Sequence, residues 1–117
     1  MIYLASPYSH PDPLITRTRY LLAEQVTAGL LAKSLWTYSP IVHCHELAAR
    51  HSLPTDFAYW QEYNIDMLRR CDRFYVLSTP GWRESKGVAG ESAVAHMLNL
   101  PMALINEEGV VTPWPAS

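Results

Sequence analysis

Short apolar runs alternate along the chain with longer segments in which apolar residues recur every three or four positions. The first run, "IYLAS" (Ile2–Ser6), is almost continuously apolar. That pattern suits a strand buried on both faces of a parallel sheet. It ends in "SPYSHPDP", where three prolines within seven residues rule out regular structure. A helix is predicted from about Leu14 to Lys33. Its apolar face would hold Ile15, Leu22, Val26 and Leu30, with Gly29 and the stem of Lys33 alongside. "LWTYS" (Leu35–Ser39) reads as a second strand, closed by Pro40. "PIVHCHELAARHSLP" reads as a loop and a short helix, and Asp56 is placed to cap the next helix, "FAYWQEYNIDMLRRC". "RFYVLS" (Arg73–Ser78) is dense in aromatic and β-branched residues and predicts a third strand. "TPGWRESKGVAGESAVAHML" supplies a turn and a helix, "PMALIN" (Pro101–Asn106) a fourth strand, and "GVVTP" a short fifth.

The order β-α-β-α-α-β-α-β-β predicts an α/β fold. The expected architecture is a doubly wound, flavodoxin/Rossmann-like parallel sheet of about five strands, with right-handed crossovers and helices on both faces. Ligands bind such sheets beyond the carboxyl ends of the strands, near the point where strand order reverses. Three polar, turn-rich segments converge on that edge: "SPYSHPDP", "SPIVHCHE" and "STPGWRESKGVAGE".

Composition narrows the function classes. A chain of 117 residues fits a single domain, residues 1–117. Nine basic and eleven acidic side chains leave a formal charge of −2. That balance predicts neither nucleic-acid polymers nor membrane surfaces as partners. A small polyanion such as a nucleotide needs only local donors and stays open. Cys44 and Cys71 show no disulfide-scaffold spacing, which points to a reducing, cytoplasmic setting. No signal peptide or membrane span is expected from the hydropathy pattern.

Candidate chemistry centres on Glu91, between the turn-forming run and the apolar helical run. Gly87 and Gly90 permit a tight turn and close approach to a ligand. Ser85 can cap the helix or donate to a phosphate. Free amides of a first helical turn attract anions and would keep Glu91 ionised, lowering its pKa if they point at the carboxylate. An ionised carboxylate facing a crevice can attack an electron-poor carbon such as the anomeric carbon of a sugar. The plainer alternative is that Glu91 only complements the helix dipole.

"IYLASPYS", "LRRCDRFYVL" and "GWRESKGVAGESAVAHMLNLP" together resemble the nucleoside 2-deoxyribosyltransferase superfamily, and most nearly its small DUF1937 branch of bacterial and phage proteins. The resemblance runs from Met1 to about Ile105, and the "GW-x-x-SKGV-x-x-E" pattern is its most specific piece. It implies that Glu91 is the nucleophile and Tyr3 the tyrosine that orients it. It also implies that Ser85, with the Gly87 amide nearby, binds a 5′-phosphate, and that Ser6 begins the loop cradling the sugar. The chain departs from the family at Asn64, where an aspartate is expected. An asparagine can bond a base but has no proton of its own to deliver. Asp66 is two residues further on, about 200° around a helix. Asp66, His43 and His45 are then the candidates for the acid that protonates a leaving base. The implied reaction is base transfer or hydrolysis at the N-glycosidic bond of a nucleoside or nucleotide, through a glycosyl-enzyme and with no cofactor.

Two other readings remain. One is a nucleotide-binding module without catalysis, which Asn64 keeps open. The other is a metal-dependent hydrolase using "HCHE", although no recognised metal spacing is present. An extended loop there would put His43 and His45 on one side and Cys44 on the other. Trp82 would stack on a base or pack over its turn. Arg17 and Arg19 would reach a phosphate or form a solvated helix face. Arg69 and Arg70 look solvated, and Trp36, Tyr59 and Trp60 read as core or subunit contacts. A homo-oligomer, dimer or tetramer, is expected, because the chain is small and aromatic-rich and the family it resembles shares its pocket between subunits. "VTPWPAS" is placed to lie across such a contact.

Overall fold

The apolar runs Ile2–Ala5 and Arg73–Leu77 lie side by side as parallel strands β1 and β3 at the centre of one five-stranded sheet. The computed structural model describes residues 1–54 and 56–115. The remaining elements are α1 (Pro13–Ala32), β2 (Thr37–Tyr38), α2 (Pro40–His51), α3 (Phe57–Arg69), α4 (Lys86–Met97), β4 (Met102–Ile105) and β5 (Val111–Pro113). Strand order is β2-β1-β3-β4-β5, so the direction of winding reverses between β1 and β3. The fold is α/β and doubly wound, as the sequence pattern predicts.

Alternation along the strands makes two apolar layers. Tyr3, Ala5, Phe74 and Val76 pack with Leu68 of α3 and with Val88 and Ala95 of α4. Ile2, Leu4, Leu77 and Ile105 pack with Val26 and Leu30 of α1. Burying one large apolar side chain of this kind contributes about 1.5–3 kcal/mol. The two layers therefore account for the insertion of unbroken apolar strands between helices.

The expected α1 face is correct at Val26 and Leu30, which are buried, and at Leu22, which packs against the same cluster. It fails at Ile15, which is exposed. Tyr20, Ala23 and Thr27 are buried instead. Tyr20 is occupied by a stack on His45 of α2, so the burial of this end of the helix is set by its neighbour helix.

Two expectations are corrected. β5 pairs antiparallel to β4, not parallel. The five residues between them cannot make a crossover, which needs a dozen or more. They form a turn around Asn106, whose side chain accepts from the amides of Glu108 and Val110, with Gly109 at φ +84°. The "PIVHCHE" segment is also helical from its first residue. Ser39 caps α2 by accepting from the Val42 amide at 3.2 Å, and Pro40 occupies the first turn, where no amide is needed. That cap ends β2 before Ser39, and at the other end the Leu35 amide is taken by the Leu30 carbonyl at the close of α1.

The capping assignments hold elsewhere. Asp56 caps α3 through the Tyr59 amide and Ser85 caps α4 through the Val88 amide, each at 3.2 Å. No helix is long and apolar enough to cross a membrane, among the described residues. Of the C-terminal "VTPWPAS", Trp114 packs within the chain, edge-on to Phe74 and Trp82, and Ala116 and Ser117 lie outside the described residues.

The loop from β3 to α4 is tied to the loop after β1 at one point. Arg19 donates to the Ser9 carbonyl at 2.9 Å, and its guanidinium covers Gly81. Gly81 has φ +97°, a conformation that side chains with a Cβ resist by about 1–2 kcal/mol. A Cβ there would also meet the Arg19 guanidinium. Gly81→Ala is therefore expected to lower stability by about 1–2 kcal/mol or slightly more, read as a fall of several degrees in thermal midpoint. A midpoint equal to wild type would contradict this account of the loop.

Candidate active site

A cavity of about 660 Å³ opens beside the carboxyl ends of β1 and β3, at the winding reversal. Loops after β1 and β3 and helices α2, α3 and α4 all contribute to its wall. Glu91 lines it, together with Ser6, Asn64, Ser85 and Gly87 of the sequence-derived set.

Glu91 is buried, and the Tyr3 hydroxyl donates to its Oε2. Tyr3 comes from the centre of β1 and Glu91 from the second turn of α4, 88 positions later. Tyr3 itself has no exposed surface, held between the rings of Phe74 and Tyr38 at 5.8 and 5.6 Å. The sequence expectation for the Glu91 charge is reversed here. The helix begins at Lys86, so Glu91 lies beyond the first turn and no free amide serves it. The Val88 amide is satisfied by Ser85. Burial raises the Glu91 carboxyl to about 7, and the Tyr3 hydrogen bond offsets only part of that rise. Burial first, then the adjacent Glu91 charge, push the Tyr3 hydroxyl far above the ordinary phenol range. Tyr3 is therefore a permanent donor.

On α3 the helical repeat decides which side chain meets the cavity. Trp60 and Asn64 line it and Leu68 enters the core, at four-residue spacing. Asn64 is buried and its Oδ1 accepts from the Tyr38 hydroxyl at 3.3 Å. That bond leaves the amide NH₂ as the donor available to a ligand. Asp66 is exposed, pairs with Arg70 at 3.3 Å, and does not line the cavity.

On α2 the same repeat separates the histidines, which an extended loop would have placed together. Pro40, Cys44 and Ala48 form the buried face. Cys44 lines the cavity, its thiol pushed up to about 11 by burial. His43 stacks on Tyr63 and shares a 3.1 Å hydrogen bond with its hydroxyl. His45 lies behind Tyr8, 2.5 Å from its hydroxyl. Neither histidine lines the cavity. Among the described residues no group of three or more His, Cys, Asp or Glu side chains could hold a metal ion.

The remaining wall is polar. Ser6 is buried, and its Oγ has no hydrogen-bond partner among the described residues. A hydroxyl left so in a cavity wall is available to a ligand or to water. Ser85 accepts from Val88, which leaves its own O–H to donate. Arg19, Lys86 and His10 bring cationic or donor groups to the same cavity. Trp82 stays outside it, packed edge-on to Trp114 and covered by Arg83. Arg17 lies over the Tyr20 ring and away from the cavity.

Tyr8, Cys44 and Trp60 line the cavity without being among the expected site residues, and Trp60 does so in place of the expected core or subunit contact. Their signals were present. Four-residue spacing from Asn64 reaches Trp60, and from Pro40 it reaches Cys44. Tyr8 sits in the proline-rich loop after β1, where no periodicity points.

The raised Glu91 carboxyl makes stability depend on pH. Its folded value of about 7 exceeds its ordinary value of 4.5, so the native state binds the extra proton between them. The associated stability is complete below the unfolded value and is lost as pH rises through the folded one. The expected loss approaches about 3 kcal/mol. Denaturant unfolding from about pH 5 to about pH 8 should show that decline, and Glu91→Gln, which cannot ionise, should remove most of it. An unchanged slope in Glu91→Gln would refute the assignment.

No curated protein matches the chain. Residues 1–107, nearly all of the sheet and all four helices, match the family described as Domain of unknown function (DUF1937). On that match the chain belongs to the DUF1937 family.

Proposed function

We propose that the protein acts on the N-glycosidic bond of a nucleoside or nucleotide, by base transfer or hydrolysis, with Glu91 as nucleophile. The observation that carries this reading is the Tyr3–Glu91 pair, a buried carboxylate in a cavity wall with one fixed donor on one oxygen. The nucleoside 2-deoxyribosyltransferase-like resemblance of the sequence supports it.

The ionised form of Glu91 attacks C1′, forming a C–O bond as the C1′–N bond breaks. Tyr3 fixes the carboxylate by holding Oε2. The resulting glycosyl-enzyme passes its sugar to water or to a second base. The Asn64 amide is a donor for an acceptor atom on the base, because Tyr38 occupies its oxygen. The Ser6 hydroxyl is free for the sugar. Ser85, Gly87, Lys86 and Arg19 make a setting suited to a phosphate or another anionic substituent. A homo-oligomer fits the exposed Leu35 and Trp36 beside the short edge strand β2.

Asn64 also favours a second reading. With no titrating proton there, and with Asp66 directed to solvent, the cavity could hold a nucleotide without turning it over.

Incubation with deoxynucleosides and their monophosphates, followed by detection of free base, separates the two. Base release is expected, falling by about 10³-fold or more in Glu91→Ala. Binding with no release by wild type would leave only the binding module. The pH profile of kcat/KM should rise through about pH 7 as Glu91 ionises. Tyr3→Phe removes the interaction that favours the charged form, so its profile should move to higher pH with a lower plateau. A shift to lower pH would contradict the role given to Tyr3.

A further inference from the structure

Breaking a C1′–N bond leaves electron density on the base nitrogen, which must be neutralised by a proton. Asn64 has none to give. Two carboxylates, Asp56 and Glu84, reach the cavity from exposed positions, and Asp56 is already engaged in capping α3. His10 is exposed as well, with its Nδ1 accepting from the Asp12 amide at 3.0 Å.

A donor of another kind is built into the wall. Tyr8 lines the cavity, half-buried, and its hydroxyl lies 2.5 Å from Nδ1 of His45. The imidazole is fixed from two directions. It stacks on Tyr20 with ring centroids 4.0 Å apart and stands perpendicular to the Tyr8 ring. Tyr20 is itself buried and donates to Glu24 at 3.1 Å. Packing therefore directs one imidazole nitrogen at one phenol oxygen. Burial, followed by the neighbouring Cys44 and Tyr20, raises the Tyr8 hydroxyl above the ordinary phenol range, so it carries its proton at neutral pH.

We propose that Tyr8 is the proton donor to the leaving base and that His45 is the positioning residue that resupplies it. The inference rests on the glycosidic reading above. In the first step Glu91 forms its bond to C1′ and the C1′–N bond breaks. The electron pair goes to the base nitrogen, which takes the Tyr8 hydroxyl proton. The Tyr8 oxygen takes a proton from Nδ1 of protonated His45. Base and imidazole both end neutral. In the second step water attacks C1′ and the bond to Glu91 breaks, restoring the carboxylate. The water proton passes to the Tyr8 oxygen as the Tyr8 proton returns to His45. One short hydrogen bond serves both directions.

Leaving-group chemistry tests this. 2′-Deoxyguanosine and its 5′-monophosphate need a proton to release their base. The N7-methylated forms carry a positive charge on the base and leave without one. Tyr8→Phe should lower kcat/KM on the unmethylated substrates by about 10²–10⁴-fold and on the methylated ones by no more than a few fold. His45→Gln, which can hydrogen-bond but cannot carry the proton, should show the same selectivity to a smaller degree. Equal losses on both substrate types in Tyr8→Phe would overturn the proposal. So would selectivity that appears in His10→Gln but not in Tyr8→Phe. Wild type releasing base from neither type would remove the glycosidic reading and the donor with it, whereas wild type cleaving both with an unselective Tyr8→Phe removes only the donor.

Discussion

The site depends on one buried hydrogen bond, from the Tyr3 hydroxyl to Glu91. A carboxylate out of contact with water carries a large desolvation cost, and it persists only where it is protonated or bonded. Here both compensations act. Burial raises Glu91 to about 7, and Tyr3 supplies a donor that never ionises in the physiological range. The bond also couples distant parts of the chain, because it joins the central strand to α4. A change at either partner is felt in sheet packing and in the charge of the cavity together.

An aromatic layer supports that bond. Tyr3 is held by Phe74 on one side and by Tyr38 on the other. Tyr38 holds Asn64 and faces His43 and Tyr63. Burial keeps Tyr38 protonated, so its hydroxyl fixes the orientation of the Asn64 amide. The carboxylate that would attack and the amide that would meet a base are thus set by neighbouring rings in one packed layer. Ring contacts of this type contribute about 0.5–1.5 kcal/mol each beyond area burial. Their larger consequence is positional, since stiff side chains with few torsions define where two polar groups stand.

The sheet was legible because unbroken apolar runs such as Ile2–Ala5 and Arg73–Leu77 admit few other placements. Glu91, Ser85 and Gly87 were legible from their place in the turn and helix after β3, whereas Ser6 and Asn64 were reached only through the family resemblance; the structure brings all five to one cavity. The direction of β5 was less legible, because its turn is set by the Asn106 side chain and Gly109 more than by apolar pattern. The charge of Glu91 was misread for a related reason. A motif suggests proximity to the helix start, whereas burial depends on residues 88 positions away. The start of α2 is less legible because a proline both closes a strand and opens a helix, and that ambiguity decides the placement of His43, Cys44 and His45 together.

A carboxyl raised to about 7 looks at first poorly suited to nucleophilic attack, since burial favours its protonated, unreactive form. The proposed chemistry turns this to advantage. A bound ligand displaces water from the cavity and makes the isolated negative charge still less comfortable. Positive charge then develops at C1′ as the base departs, and it develops within reach of that carboxylate. The attraction between the two is greatest at the transition state and weak before it, which is the condition under which binding energy accelerates a reaction. A fully solvated glutamate would ionise more readily, but water would already satisfy its charge and little would be gained when the sugar becomes cationic. The desolvation that raises the Glu91 pKa is, on this reading, the same property that makes its charged form responsive to an electron-poor sugar carbon. Tyr3 sets the balance, because one hydrogen bond keeps the ionised form accessible while leaving the other oxygen free to react.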